Sequence, residues 1–192
     1  MQWIIPGTVL SAAIDEADSL EEKFSAMFLG GGMVLSQVAA VTGLEPYTIQ
    51  NWVKRGFLTS PVQKKYSLRQ LCRILNINML KSALPMEEIC GLLSYINGNL
   101  DDESDDLIDD SQLYFLFVRM ASLHRQMNNA AGRDQKLEEI LSQYEEPAPD
   151  ARERVKKVLQ IMLTAWSASL LRQQAESMVE ELKALQNQTV QS

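Results

Sequence analysis

Apolar residues recur along most of this chain at the three- and four-residue intervals of helix faces, and Gly and Pro divide the stripes. Leu20, Phe24, Met27 and Phe28 form the first stripe, which runs into Gly30-Gly31-Gly32, so a helix followed by a flexible joint is predicted. Ser36 precedes Val38, Ala39 and Val41 as an N-cap, and Gly43 stops that short helix in a tight turn. Pro46 opens a second helix, where its missing N–H costs nothing, and Ile49, Trp52 and Val53 share one face until Gly56. The stretch 59–66 holds Pro61 and Lys64-Lys65 and is too short for a helix, so it reads as a small β-ribbon or tight loop. Ser67 and Gln70 make a capping box ahead of Leu68, Leu71, Ile74 and Leu75. Pro85 starts another helix, with Ile89, Leu92, Leu93 and Ile96 on its buried side.

The acidic run DDESDDLIDD over residues 101–110 repels itself and reads as a linker or solvated loop. Beyond it, Leu113, Leu116, Phe117, Met120, Ala121 and His124 fit a helix, Gly132 interrupts, and Leu137, Ile140 and Leu141 fit a shorter one that ends before Pro147. Asp150 and Glu153 form the next cap. A stripe from Val155 through Trp166 to Leu185, with no Gly or Pro, predicts one long amphipathic helix. The expected fold is therefore all-α, or mainly helical. A winged helix-turn-helix with a small β wing occupies 33–100, between an N-terminal helical extension (1–32) and an acidic linker (101–111). A helical C-terminal region (112–192) with a long terminal helix completes the chain.

Charge sharpens this picture. The net charge of −7 opposes loose attachment to a phosphate polymer, yet residues 33–81 carry seven basic residues against Glu45 alone. Residues 82–150 carry fifteen acids against four bases, so a basic binding module sits on an acidic body. No stretch is apolar enough to span a membrane and the start lacks a signal peptide, which predicts a cytoplasmic protein. Two cysteines, Cys72 and Cys90, without CxxC spacing and with a single His, leave no zinc ligand set and no disulfide framework. Both fall among apolar helical positions. Neither a nucleophile–base pair nor a phosphate loop appears, so no catalysis, metal or cofactor is expected.

In a helix-turn-helix the second helix lies in the major groove, and its outward side chains must offer hydrogen-bonding groups. With Ile49, Trp52 and Val53 turned inward, the outward set is Tyr47, Thr48, Gln50, Asn51, Lys54 and Arg55. Gln50 and Asn51 can bond an adenine edge and Lys54 can reach guanine or phosphate, while Lys64 and Lys65 would hold phosphates from the wing.

The run from Leu35-Ser36-Gln37-Val38-Ala39 through Thr42-Gly43-Leu44-Glu45-Pro46-Tyr47-Thr48-Ile49-Gln50-Asn51-Trp52, with Arg55-Gly56-Phe57-Leu58 and Lys65-Tyr66-Ser67, resembles the DNA-binding domain of MerR-type regulators. More narrowly, QNWVKRG, the KKYS wing, INMLKS and INGNLDDESDDLIDDS look like the uncharacterised bacterial family called domain of unknown function 1836, itself MerR-like. This resemblance covers about residues 35–115. It implies a DNA-binding transcription regulator in which Ser36, Tyr47, Thr48, Gln50, Lys54, Lys64 and Lys65 are similar in position to DNA-contacting residues. Gln50 stands where MerR recognition helices usually carry Arg, and the longer, arginine-bearing MerR wing is absent.

MerR proteins dimerise through a long helix after the DNA-binding domain. The 150–188 stripe could do the same, giving a homodimer on a palindromic site of double-stranded DNA, or could pack within its own chain. Met120, Met127, Met162 and Met178 read either as the lining for an unidentified small-molecule effector or as core. The competing function is a non-catalytic protein-interaction adaptor on the same winged-helix scaffold.

Overall fold

The computed structural model describes the backbone of residues 2–124 and 130–190 and the side chains of 2–123 and 135–186. Its elements run β1 (Gln2–Ile4), β2 (Ser11–Ala13), a 3-10 turn (Ile14–Ser19), α1 (Leu20–Met27), β3 (Met33–Val34), α2 (Leu35–Thr42), α3 (Pro46–Lys54), β4 (Lys65–Tyr66), α4 (Leu68–Leu80), α5 (Met86–Asn97), a 3-10 turn (Glu103–Asp105), α6 (Asp110–His124), α7 (Ala130–Leu141) and α8 (Ala151–Val190). The fold is all-α with two small antiparallel sheets, β1–β2 and β3–β4. No helix among the described residues is long and apolar enough to cross a membrane.

Helix α4 is the axis of the molecule. Leu71, Cys72, Ile74, Leu75, Asn76, Ile77 and Leu80 are each fully buried, so apolar side chains cover the helix on nearly every side. Each large apolar side chain removed from water contributes about 1.5–3 kcal/mol. Helix α6 packs along α4 and is itself buried through Leu113, Tyr114, Phe117, Val118 and Ala121. The first half of α8 closes the bundle with Val155, Val158, Leu159 and Met162, and Trp166 meets Phe117 edge to face at 5.9 Å.

The N-terminal segment belongs to this core. Trp3, Ile5, Leu20 and Phe24 are buried, Phe24 packs on Tyr114 and Phe115, and the Tyr114 hydroxyl donates to the Pro6 carbonyl at 2.8 Å. At Gly7, φ is +77°, and a Cβ would lie 2.5 Å from the Leu75 carbonyl oxygen, so only glycine allows this approach to α4.

The predicted stops and starts hold at Gly43, Pro46, Gly56, Ser67 and Pro85. Others moved. Val34 caps α2 instead of Ser36, because Gln37 Oε1 accepts the Val34 amide at 3.0 Å and leaves Ser36 inside the first turn. Asp150 adopts φ +62° ahead of α8, and the Arg152 amide donates to Glu146 Oε2 at 3.3 Å instead. Gly132 lies within α7 and interrupts nothing.

The acidic run is a solvated loop over residues 101–105, but its second half is packed into the fold. Its Asp109 Oδ1 accepts the Ser111 amide at 2.7 Å at the start of α6, the Leu107 amide donates to Ile96 O at 2.7 Å, and Asp110 is 1% exposed. The self-repulsion expected from the sequence is offset by two arginines of α4, thirty to forty positions earlier in the chain.

Candidate nucleic-acid interface

Helix α3 starts at Pro46 and buries Ile49 and Trp52, which turns Tyr47, Gln50 and Lys54 outward at i, i+3 and i+7. Tyr47 is 75% exposed, Gln50 and Lys54 are exposed, and Thr48 and Asn51 are half-buried on the flanks. None of these five side chains bonds to another described residue. Lys54 ends the helix, where a cation is favoured by the carbonyl end of the dipole. Arg55 is differently placed: its guanidinium lies 3.8 Å from Glu87 and 4.6 Å above the Phe57 ring.

The turn that sets α3 on α2 is held from three sides. Gly43 has φ +68°. Thr42 Oγ1 donates to Val38 O at 2.8 Å and accepts the Leu44 amide at 3.2 Å. Asn78 of α4 bridges the Gly7 and Thr42 carbonyls at 2.8 and 2.9 Å, which ties the turn to the core and to the N-terminal hairpin. Ser36 is exposed on the first turn of α2.

The wing is a two-residue hairpin. The Lys65 amide donates to Val62 O at 2.9 Å, and Gln63 and Lys64 carry φ of +50° and +62°, the sign at both central positions that matches strand twist. Non-glycine residues pay roughly 1 kcal/mol or more for that conformation. Lys64 stands exposed at the tip, and Lys65 is exposed but donates from Nζ to Gly30 O at 3.2 Å. Val34 and Val62 face Lys65 from either side across the ribbon, while Met33 and Tyr66 turn into the core.

Behind the wing lies a cleft of about 840 Å³, walled by the wing, the start of α4 and the acidic segment. Arg69 is held there by Asp106 at 2.7 Å and Glu103 at 2.9 Å, with Asp109 at 3.6 Å. Arg73, 4% exposed, reaches Asp110 through both carboxylate oxygens at 3.2 and 3.4 Å and donates from Nε to Phe57 O at 3.0 Å. This clamp fixes the stretch between α3 and the wing. It was not singled out from the sequence. The one available signal was the four-residue spacing of Arg69 and Arg73 on a helix, but nothing local indicated which acids they meet.

Burial outweighs the pull of Arg69 on Asp106 and raises its carboxyl to about 6, and burial raises Asp110 in the same direction against Arg73. A carboxyl that is easier to protonate in the folded state than in the unfolded one stabilises the fold as pH falls. The native state therefore loses stability as pH rises from about 4 to about 6. Between pH 5 and pH 7 the expected loss from Asp106 is about 1–2 kcal/mol. Denaturant titrations should show it, and Asp106→Asn should remove most of the slope in this window.

The remaining candidates stay apart. Met120 and Met162 are core, Met178 is 62% exposed in the second half of α8, and Met127 lies outside the described residues, so among the described residues Met178 stands apart from the other two. Cys72 is buried, and burial pushes its thiol well up; Cys90 is half-buried. Among the described residues no group of three or more His, Cys, Asp or Glu is placed to hold a metal ion.

Among curated proteins, the chain is similar to an uncharacterized protein, YkrK of Bacillus subtilis (strain 168), at 29% identity over 113 residues. The match takes in 57% of this chain and 48% of that protein, so it spans about half the length of the relative. No solved structure matches. Residues 33–117, from β3 into α6, match the family described as Domain of unknown function (DUF1836).

Proposed function

We propose that the protein is a non-catalytic, sequence-specific DNA-binding transcription regulator of MerR-like type, cytoplasmic, and acting as a homodimer on palindromic double-stranded DNA. The observation that carries this reading is the outer face of α3. Tyr47, Gln50 and Lys54 stand in one exposed row, opposite a buried Ile49 and Trp52, with no internal partner and no acid among them. Side chains that stabilise nothing within the chain are free to meet a groove edge, where Gln50 and Asn51 would read bases and Lys54 would reach guanine or phosphate. Ser36, Tyr47, Thr48, Arg55 and Lys64 would position the backbone, and Lys65 would share its Nζ between Gly30 O and a phosphate.

The dimer reading rests on α8. Residues 171–186 lie exposed beyond the bundle, and Leu171, Ala175, Met178 and Leu182 follow the alternating four- and three-residue spacing of a coiled-coil seam, which Leu185 continues. A second copy of this helix is the occupant that spacing suits.

One observation favours the adaptor reading. Asp101, Asp102 and Asp105 are exposed and Glu103 is 77% exposed, a surface that would repel phosphate and attract a basic protein. The deciding experiment is DNA selection from a genomic library, followed by affinity measurements across a salt series. A palindrome should emerge whose binding weakens steeply with salt, and Gln50→Ala/Lys54→Ala should lower affinity at least tenfold and abolish sequence preference. Folded protein that enriches no sequence would promote the adaptor.

A further inference from the structure

The segment between α1 and β3 is unusual for what it leaves in water. Leu29 is 89% exposed, more than any other large apolar residue described. It is followed by three glycines whose roles differ. Gly32 is required by the fold: its φ is +102°, and a Cβ would sit 2.9 Å from Tyr66 O. Gly31 needs its φ of +83°. Gly30 has neither constraint, since its φ is ordinary and a Cβ there would meet nothing within 4 Å. Folding explains two of the three, and the third keeps a bare backbone facing open space.

This loop is not isolated. Gly30 O accepts from Lys65 Nζ at 3.2 Å, and Gly32 lies flush against β4, so Leu29 is carried beside the wing. The outer face of the wing sheet continues the same character, with Val34 40% and Val62 75% exposed on either side of Lys65. Val34 and Val62 thus flank one lysine whose ammonium group reaches the carbonyl of Gly30, the residue after Leu29, with Lys64 at the neighbouring tip. Phosphates would meet the two ammonium groups, and sugars and base edges the apolar ones.

We infer that the Leu29–Gly32 loop is a second DNA-contacting element, entering the minor groove beside the wing with Leu29 as its apolar tip. This inference rests on the DNA-binding reading above. A minor groove about 6 Å wide admits little bulk, and a single leucine followed by bare glycine backbone presents a narrow profile. Apolar wedges of this kind, leucine among them, are used by minor-groove proteins to part base steps. An element of this type adds affinity with little base preference, which complements the reading by α3.

The test uses the full chain and the duplex recovered by selection, with netropsin as a minor-groove competitor. Leu29→Ser should lower affinity about tenfold and remove most of the sensitivity to netropsin, while Gln50→Ala should lose sequence preference and keep that sensitivity. Gly30→Asp, which the fold has room for, should weaken binding by repulsion from phosphate. Both variants should retain the wild-type melting temperature. Wild-type affinity and netropsin response in Leu29→Ser and Gly30→Asp would overturn the inference and leave the DNA reading standing. If the wild-type protein binds no duplex at all, both fall together.

Discussion

Replacing Asp110 by alanine should cost the fold about 3–5 kcal/mol, among the largest losses available from one surface-distant substitution. Asp110 is 1% exposed and neutralises Arg73, itself 4% exposed, and its backbone carbonyl accepts from Asn76 Nδ2 at 3.3 Å. Removing the carboxylate strands a guanidinium in a site closed to water. The raised Asp110 carboxyl indicates that burial costs more than Arg73 returns, so the pair as a whole stabilises little compared with apolar side chains of similar volume. Arg73→Met/Asp110→Leu should therefore recover most of what Asp110→Ala loses. Urea unfolding of the wild type and the two variants checks this, and a double variant no more stable than Asp110→Ala would overturn it. Because Arg73 also holds Phe57 O between α3 and the wing, Asp110→Ala should loosen the candidate interface before it unfolds the bundle.

Breaking the α8 seam should leave stability almost untouched and change binding severely. Leu171, Met178 and Leu182 are 68%, 62% and 56% exposed, so Met178→Asp/Leu182→Asp removes no intrachain packing. In the proposed homodimer both aspartates fall at a and d positions, where they are desolvated against their counterparts. Sedimentation should show a monomer where the wild type is a dimer. Affinity for a palindrome should fall by about two orders of magnitude, since the second half-site is then no longer bound at the effective concentration set by the first. A half-site should bind both proteins equally. A wild type that sediments as a monomer would discard the dimer and leave α8 as an exposed helix in search of another partner.

The amphipathic stripes were legible because helix periodicity is a local property: α2, α3, α4 and α5 follow from which residues recur at three and four, and Gly43, Pro46, Gly56 and Pro85 punctuate them through their own backbone limits. The outward row on α3 was legible for the same reason, as the complement of the buried one. The N-terminal hairpin was not, because its strands are three residues long and its stability comes from Trp3 and Ile5 entering a core built mostly by later residues.

The sequence by itself determined where the helices lie, which face of each is apolar and where the basic residues concentrate, all of which depend on near neighbours in the chain. Tertiary structure alone decided the fate of the charges. Arg69 and Arg73 count as part of a basic patch until the fold brings Asp106, Asp109 and Asp110 against them, and DDESDDLIDD counts as a repelling linker until it has those arginines. Coulomb energies depend on distance and on exclusion of water, and neither is set by spacing along the chain. The same holds for Lys65, whose ammonium group is drawn to Gly30 by a contact spanning 35 positions.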